Sequence, residues 1–314
     1  MDNVTYSVVL PVYNEELILE ALYDRLVNAL DALGEPYEVI FVNDGSHDRS
    51  LEILKSINQR DPRYRVISFS RNFGHQTAIT AGINHTRGDA VIIMDADLQD
   101  PPEVLSMFLD KWREGYQVVY AIRTKRKENA LKRLAYKVFY RLLAFVSDVE
   151  IPLDSGDFCV MDRRIVDLLN SMPERNRFVR GIRSWAGFNQ IGMAYERDKR
   201  MAGEPKYTMT KLFKLAFDGI ISFSKLPLRV ASILGFIVSG FSFVYAFLTL
   251  LQKLFTDSTV PGYTTTVILI SFLGGIQLIT IGIIGEYLGR IFDEVKKRPL
   301  YIVADKIGFE HTSE

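Results

Sequence analysis

The chain is 314 residues long and balances 38 basic against 38 acidic side chains, so no global charge points to a nucleic acid and no such partner is expected. A single cysteine, Cys159, excludes an internal disulfide and a cysteine-based zinc site; between Phe158 and Val160 it reads as a small buried residue. Residues 1–6 are polar and run straight into a strand, which argues against a signal peptide.

Residues 7–13 are almost continuously apolar, the pattern of a strand buried on both faces. Asn14, Glu15 and Glu16 then place acids where a helix would begin, and Leu19, Leu22, Leu26, Ala29, Leu30 and Leu33 repeat with helical spacing up to Gly34. A second strand over 37–42 ends in Asn43-Asp44-Gly45-Ser46, and a helix bearing Leu51, Leu54 and Ile57 follows. The third strand, 65–69, leads through Ser70-Arg71-Asn72-Phe73-Gly74 into a helix over about 76–86. The fourth, 91–94, stops at Asp95-Ala96-Asp97-Leu98-Gln99-Asp100-Pro101-Pro102-Glu103, where the paired prolines cannot continue a sheet. Strands alternating with helices through short connections predict an α/β, Rossmann-like, mostly parallel sheet with helices on both faces.

If the backbone stays extended between them, Asp95 and Asp97 face the same way. At the carboxyl edge of such a sheet they would point into the ligand crevice. Their hard oxygens suit Mg2+ or Mn2+ carrying a diphosphate. The competing reading makes Asp97 and Asp100 caps of a helix starting near Pro101 and Pro102. Acids after strands one, two and four would set Glu15 or Glu16, Asp44, Asp95 and Asp97 along one edge. Asp44 could accept hydrogen bonds from a ribose or base, or simply form an Asp-Gly turn. With no Gly-x-Gly-x-x-Gly and no Walker loop, nucleotide phosphates would need metal and cationic side chains to hold them.

Val9-Leu10-Pro11-Val12-Tyr13-Asn14-Glu15-Glu16, Asn43-Asp44-Gly45-Ser46 and Asp95 to Glu103 together resemble the inverting family 2 glycosyltransferases of GT-A fold. Within them the chain looks like the polyprenyl-phosphate hexose transferases, namely dolichol-phosphate mannose synthases and, more closely, bacterial bactoprenol-phosphate glucosyltransferases. The resemblance runs over nearly the whole chain. It implies a nucleotide-sugar donor, a divalent metal at Asp95 and Asp97, and Asp44 near the nucleoside. Pro11, Tyr13, Glu15 and Gln99 would also lie on the donor side. UDP-glucose and undecaprenyl phosphate are the expected substrates, although no residue decides between UDP-glucose, GDP-mannose and a UDP-linked amino sugar. A rival of another class is a scaffold partner of a lipid-sugar flippase with a dead transferase domain; intact Asp95, Asp97 and Asp157 argue against it.

After a strand over 117–122, Arg123-Thr124-Lys125-Arg126-Lys127 reads either as a solvated start to a long helix over 129–146 or as an anion site. The resemblance favours Arg123 and Arg126 for the lipid phosphate. Asp154 to Phe158 turns into a short strand, and a helix follows from Met161-Asp162-Arg163-Arg164. Asp157 matches the family's acceptor-side acid, proposed as a base, yet a phosphomonoester loses its second proton near pH 6. The acceptor is then mostly a dianion at neutral pH, and Asp157 is equally suited to orient a sugar hydroxyl. Arg183-Ser184-Trp185 lacks the glutamine of the Gln-x-x-Arg-Trp signature of processive synthases, which favours single-sugar transfer. Residues 197–207 resemble the family's mobile Arg-x-x-Gly-Glu-x-Lys-Tyr loop, so Arg200 and Lys206 would close over the donor diphosphate or the lipid phosphate. His47, His75, His85 and His311 fit no metal spacing and read as structural or surface.

Residues 209–224 crowd apolar side chains on one side with Lys206, Lys211, Lys214 and Lys225 interspersed, the composition of an interfacial amphipathic helix. Residues 230–251 carry no charge and are long enough to span a bilayer, as are 263–285. Gly274, Gly275 and Gly282 permit close helix packing and self-association into a homo-oligomer. A buried core hairpin is the competing reading of these runs. Arg229 precedes the first run, while Arg290, Lys296, Lys297 and Arg298 follow the second, so the positive-inside rule sets both termini and the catalytic domain in the cytoplasm beneath the plasma (inner) membrane. The expected organisation is a GT-A domain over 1–205, a juxtamembrane helix over 206–228, a transmembrane hairpin over 229–289 and a cytoplasmic tail over 290–314. Its partners would be a nucleotide sugar, polyprenyl phosphate and the lipid bilayer.

Overall fold

The computed structural model describes residues 4–123, 155–172, 174–175, 177–195, 226–256 and 262–309. They belong to two units: one holds 1–145, 149–212 and 298–314, the other 146–148 and 213–297. The expected helix over 129–146, the loop 197–207 and the interfacial helix 209–224 lie outside the described residues, with Arg126, Arg200 and Lys206.

In the first unit β1 (Tyr6–Val12), β2 (Tyr37–Asn43), β3 (Tyr64–Phe69) and β4 (Ala90–Ile93) alternate with α1 (Leu19–Asp31), α2 (Ser50–Arg60) and α3 (His75–Asn84). A 3-10 turn (Pro102–Val104) leads into α4 (Leu105–Arg113) and β5 (Val118–Arg123). Then come β6 (Ser155–Asp162), α5 (Arg163–Ser171), α6 (Val179–Trp185), β7 (Gln190–Tyr195) and, far along the chain, β8 (Val303–Ile307). The eight strands form one sheet in the order β7-β5-β6-β4-β1-β2-β3-β8. β1 runs parallel to β2 and β4, β2 to β3, and β5 to β7, while β6 and β8 run antiparallel to their neighbours. This is the expected mostly parallel α/β sheet, with antiparallel insertions that strand-helix alternation does not announce.

Every residue of β1 is buried, as the apolar run requires. Alternation along the strands sends Val8, Leu10, Val39 and Phe41 to one face, against Leu19, Leu22 and Leu26 of α1, Leu54 of α2 and Phe108 of α4. Ile40, Val42, Ile67 and Phe69 face the other way, onto Ala78 and Ala81 of α3. Each fully buried leucine contributes about 1.5–3 kcal/mol, so this doubly covered sheet can hold polar loops rigid at its edge. α3 lies so close to β1 that a Cβ on Gly82 would fall 2.2 Å from Val9 Cγ1.

The expected helix start at Asn14 is not observed. α1 begins at Leu19, and Asn14 adopts a left-handed φ of 53°. The cause is local: the amides of Asn14, Glu15 and Glu16 donate to Ser46 Oγ (3.0 Å), Ser50 Oγ (2.9 Å) and Asp48 Oδ2 (3.1 Å) of the following loop. The two loops are laced together instead of extending a helix. The segment expected as a tail is also more ordered than its composition suggested, since β8 pairs with β3 from Val66 opposite Ile307 to Phe69 opposite Val303.

The second unit contains α7 (Leu226–Thr256) and α8 (Tyr263–Lys296), which pack on each other. Within them Leu228–Gln252 and Ile268–Lys296 have mean hydropathies of 2.1 and 2.2 and are candidate membrane spans by length and composition. Twenty-five helical residues reach about 37 Å, enough to cross a hydrocarbon core of about 30 Å.

Candidate active site

Parallel pairing brings the carboxyl ends of β1, β2 and β4 to one edge of the sheet. β6 runs against β4 with Cys159 opposite Ile93; two residues onward in each direction come Asp157 and Asp95. The register itself thus sets these acids face to face.

Asp44 follows β2 and is 3% exposed. Its Oδ1 accepts from the amides of Phe73 (2.6 Å) and Gly74 (3.2 Å), and its Oδ2 from Gly74 (3.0 Å). Gly45 has φ 66°, and a Cβ there would sit 2.4 Å from the Arg71 carbonyl carbon, so the loop after β3 can come this close only because residue 45 is glycine. The Asp-Gly pair is a clamp between two loops, more than a turn. Burial raises the Asp44 carboxyl above its ordinary range, and the two amides oppose the shift.

The clamp fixes the residue that opens α3. His75 Nε2 lies 3.5 Å from Asp95 Oδ1 and 3.6 Å from Asp157 Oδ2. Burial works against the imidazolium, but Asp157, Asp95 and Asp44 outweigh it and lift the pKa to about 9. Asp157 also accepts from Arg180 Nη2 of α6 at 3.2 Å and from Gln76 Nε2 at 3.3 Å. Burial alone would raise this carboxyl; Arg180 and His75 instead hold it well below the usual carboxylate range. Gln76 Oε1 in turn accepts from the Val179 amide at 3.0 Å, tying α3 to α6. Asp95 is pushed up to about 6, first by burial, with His75 opposing and Asp100, Asp157 and Asp97 adding to the rise.

The condition of an extended backbone from Asp95 to Asp97 is not met. β4 ends at Ile93, the chain turns at Ala96 and Asp97, and Leu98 takes φ 55°. The turn is stabilised by the Gln99 amide donating to Asp97 Oδ1 at 3.1 Å. The capping alternative also fails: the 3-10 turn has no side-chain capping hydrogen bond, and Asp100 accepts from the hydroxyl of Tyr195 on β7.

Asp44, Asp95, Asp97 and Asp157 share this edge. Pro11 lies in β1, and Tyr13 and Glu15 follow it, with the Tyr13 ring 6.4 Å from that of His47. Arg123 is the last residue of β5. Sequence reasoning missed Phe73, Gly74, His75, Gln76 and Arg180. His75, read from the sequence as structural or surface, lies between two acids at this edge. His85 is structural, with Nδ1 2.8 Å from the Ala81 carbonyl oxygen, and His311 lies outside the described residues. Cys159 is buried in β6, as expected.

Among the described residues no group of three or more His, Cys, Asp or Glu is arranged to hold a metal. Mg2+ and Mn2+ need no such cage when a diphosphate brings its own oxygens, because one or two carboxylates then suffice. Asp95 and Asp97 supply two hard carboxylates at the sheet edge, and burial, with Asp100, Asp157 and Asp97 adding to it, disfavours a bare charge on Asp95; the chemistry of this donor set suits a hard cation.

Residues 7–169 match Glycosyl transferase family 2, and residues 226–291 match the GtrB C-terminal hairpin. An uncharacterized glycosyltransferase, YkcC of Bacillus subtilis (strain 168), is 51% identical over 310 residues, covering 98% of this chain and 96% of its own. The SfII prophage-derived bactoprenol glucosyl transferase of Shigella flexneri is 43% identical over 300 residues, with 95% and 96% covered. The prophage bactoprenol glucosyl transferase homolog of Escherichia coli (strain K12) is 40% identical over 298 residues, with 95% and 97% covered. A family model that covers residues 7–169 and relatives that align over nearly their whole length agree, and the chain belongs to glycosyl transferase family 2.

Proposed function

We propose that this glycosyltransferase moves one glucose from UDP-glucose onto undecaprenyl phosphate at the cytoplasmic face of the plasma membrane, inverting the anomeric carbon. The observation that carries the reading is the meeting of Asp44, Asp95 and Asp157 around the start of α3. It occurs in a chain whose relatives are named bactoprenol glucosyl transferases over nearly all its length. The hairpin supports a lipid acceptor. The return of the chain to the same sheet after α8 supports a topology with both ends of the hairpin on one side of a membrane. The basic residues flanking α7 and α8 favour the cytoplasm as that side.

In this mechanism Asp44, with Pro11, Tyr13, Glu15 and Gln99, lines the donor's nucleoside side. Asp95 and Asp97 are the residues that would hold Mg2+ or Mn2+, and the bound ion supplies positive charge against the departing diphosphate. Arg200 and Lys206 add cationic charge toward the donor diphosphate or the lipid phosphate, and Arg123 and Arg126 receive the lipid phosphate. A phosphate oxygen of the acceptor attacks the anomeric carbon, the bond from that carbon to the diphosphate breaks, and UDP leaves with the electron pair. Aligning the two reactants supplies much of the rate. A carboxylate held as acidic as Asp157 is a weak base, and a dianionic acceptor needs none at neutral pH. Asp157, gripped by Arg180 and Gln76, serves to orient the acceptor side and to balance His75.

The test is to incubate membranes containing the protein with radiolabelled UDP-glucose, GDP-mannose and UDP-N-acetylglucosamine in parallel, with and without EDTA. Label passing into the organic phase from UDP-glucose alone, and lost with EDTA, is the expected result. Transfer from GDP-mannose instead would make the chain a polyprenyl-phosphate mannose synthase. Transfer from no donor would leave the scaffold reading.

A further inference from the structure

The segment that leads into β8 lies against the loop that Asp44 holds. Tyr301 stacks on Phe69 at the end of β3, with ring centroids 5.0 Å apart and planes 21° apart. Phe69 meets Phe73 edge to face at 5.6 Å, and the Phe73 amide is the one bound by Asp44 at 2.6 Å. The Ser70 amide donates to the Ile302 carbonyl at 3.0 Å, and Asn84 Nδ2 at the end of α3 donates to the Tyr301 hydroxyl at 3.1 Å. Residues 301 and 302 therefore hold both the start of the loop and the far end of the helix that the loop feeds. Phe73 packs on the core of Ile40, Val42, Ile67, Phe69, Ala78 and Ala81, and the Arg71 guanidinium lies over its ring, 4.0 Å from the centroid.

We propose that Tyr301 is a positioning residue for the donor site: through the Phe69–Phe73 pair it sets the backbone amides that Asp44 grips, and so fixes the nucleoside side of the crevice. The inference rests on the reading that Asp44 lines the donor nucleoside. It gives the segment before β8 a role in donor binding that its distance along the chain conceals. Removing the outer ring deletes one of the two aromatic pairs, a loss that reaches at most about tenfold in nucleotide affinity.

The experiment is calorimetric titration of UDP with Mn2+ into the full-length protein in detergent, beside a thermal melt. Tyr301→Ala is expected to weaken UDP binding by up to about tenfold, while Tyr301→Phe, which keeps the stack and loses the Asn84 contact, stays within about twofold of wild type. Tyr301→Leu restores apolar burial without the stack and stands in for alanine if that variant does not fold; it is expected to bind weakly as well. Phe309→Ala is the control. Phe309 packs on Arg65 and His85, so its loss lowers thermal stability but leaves UDP affinity unchanged. Wild-type affinity in both Tyr301→Ala and Tyr301→Leu, or an equal loss in Phe309→Ala, overturns the positioning role. Asp44→Ala separates the two levels. If it binds UDP like wild type, the donor-site reading itself falls; if it binds weakly while the Tyr301 variants do not, only the role of Tyr301 falls.

Discussion

Replacing Asp44 by alanine deletes the acceptor of two amides in one step. Asp44 is 3% exposed, so the Phe73 and Gly74 amides that it binds lose their partner in a place water reaches poorly. An unsatisfied buried amide costs about 1–3 kcal/mol, which gives about 2–6 kcal/mol for the pair. Burial already raises the Asp44 carboxyl, so removing it also relieves a desolvation cost and moves the expected loss to the low end, about 2–3 kcal/mol. At about 2–4 °C per kcal/mol for a domain of this size, thermal unfolding in detergent should fall by about 4–12 °C. Asp44→Asn keeps one oxygen for Phe73 but turns an amide toward the Gly74 N–H, so it should lie between the two. UDP affinity should fall further than stability, because the loop that moves carries His75 into the site. An alanine variant with unchanged melting and unchanged UDP binding would refute both the clamp and its link to the donor.

Gly45→Ala combines a left-handed φ with a Cβ only 2.4 Å from the Arg71 carbonyl carbon; it should destabilise by more than about 1 kcal/mol and weaken UDP binding, both read in the same titration and melt. Asp157 has its folded pKa held below the unfolded value, so its contribution is present above about pH 4 and fades as pH falls toward the folded pKa. The stability gap between wild type and Asp157→Asn should therefore be open at pH 7 and narrow below about pH 4, as urea titrations across pH would report. If the acceptor dianion is the nucleophile, the acid limb of kcat/KM follows the lipid phosphate near pH 6 and survives in Asp157→Asn. Its disappearance in that variant would restore Asp157 as a general base.

The buried strands were readable because β1, β2 and β4 are near-continuous apolar runs, and the acid edge followed from where those runs stop. The start of α1 misled for a physical reason. Acids after a strand look like a helix N-terminus, yet the amides of Asn14, Glu15 and Glu16 are taken by Ser46, Ser50 and Asp48, partners more than thirty residues away. The partnership of His75 with Asp157 had no local signal either, since it depends on β6 entering the sheet antiparallel beside β4. β8 was hidden for the same reason. Val303 to Ile307 alternates apolar and charged residues weakly, and only pairing with β3, remote in sequence, makes it a strand.

The central claim is that acids at the ends of neighbouring strands grip a divalent cation together with an activated sugar. The most direct measurement is titration of UDP into the purified full-length protein in magnesium-containing buffer, repeated after EDTA and with Asp97→Ala. Saturable binding that EDTA and the substitution both abolish is the predicted result. No affinity for any nucleoside diphosphate with magnesium present, or affinity indifferent to both treatments, would contradict the account.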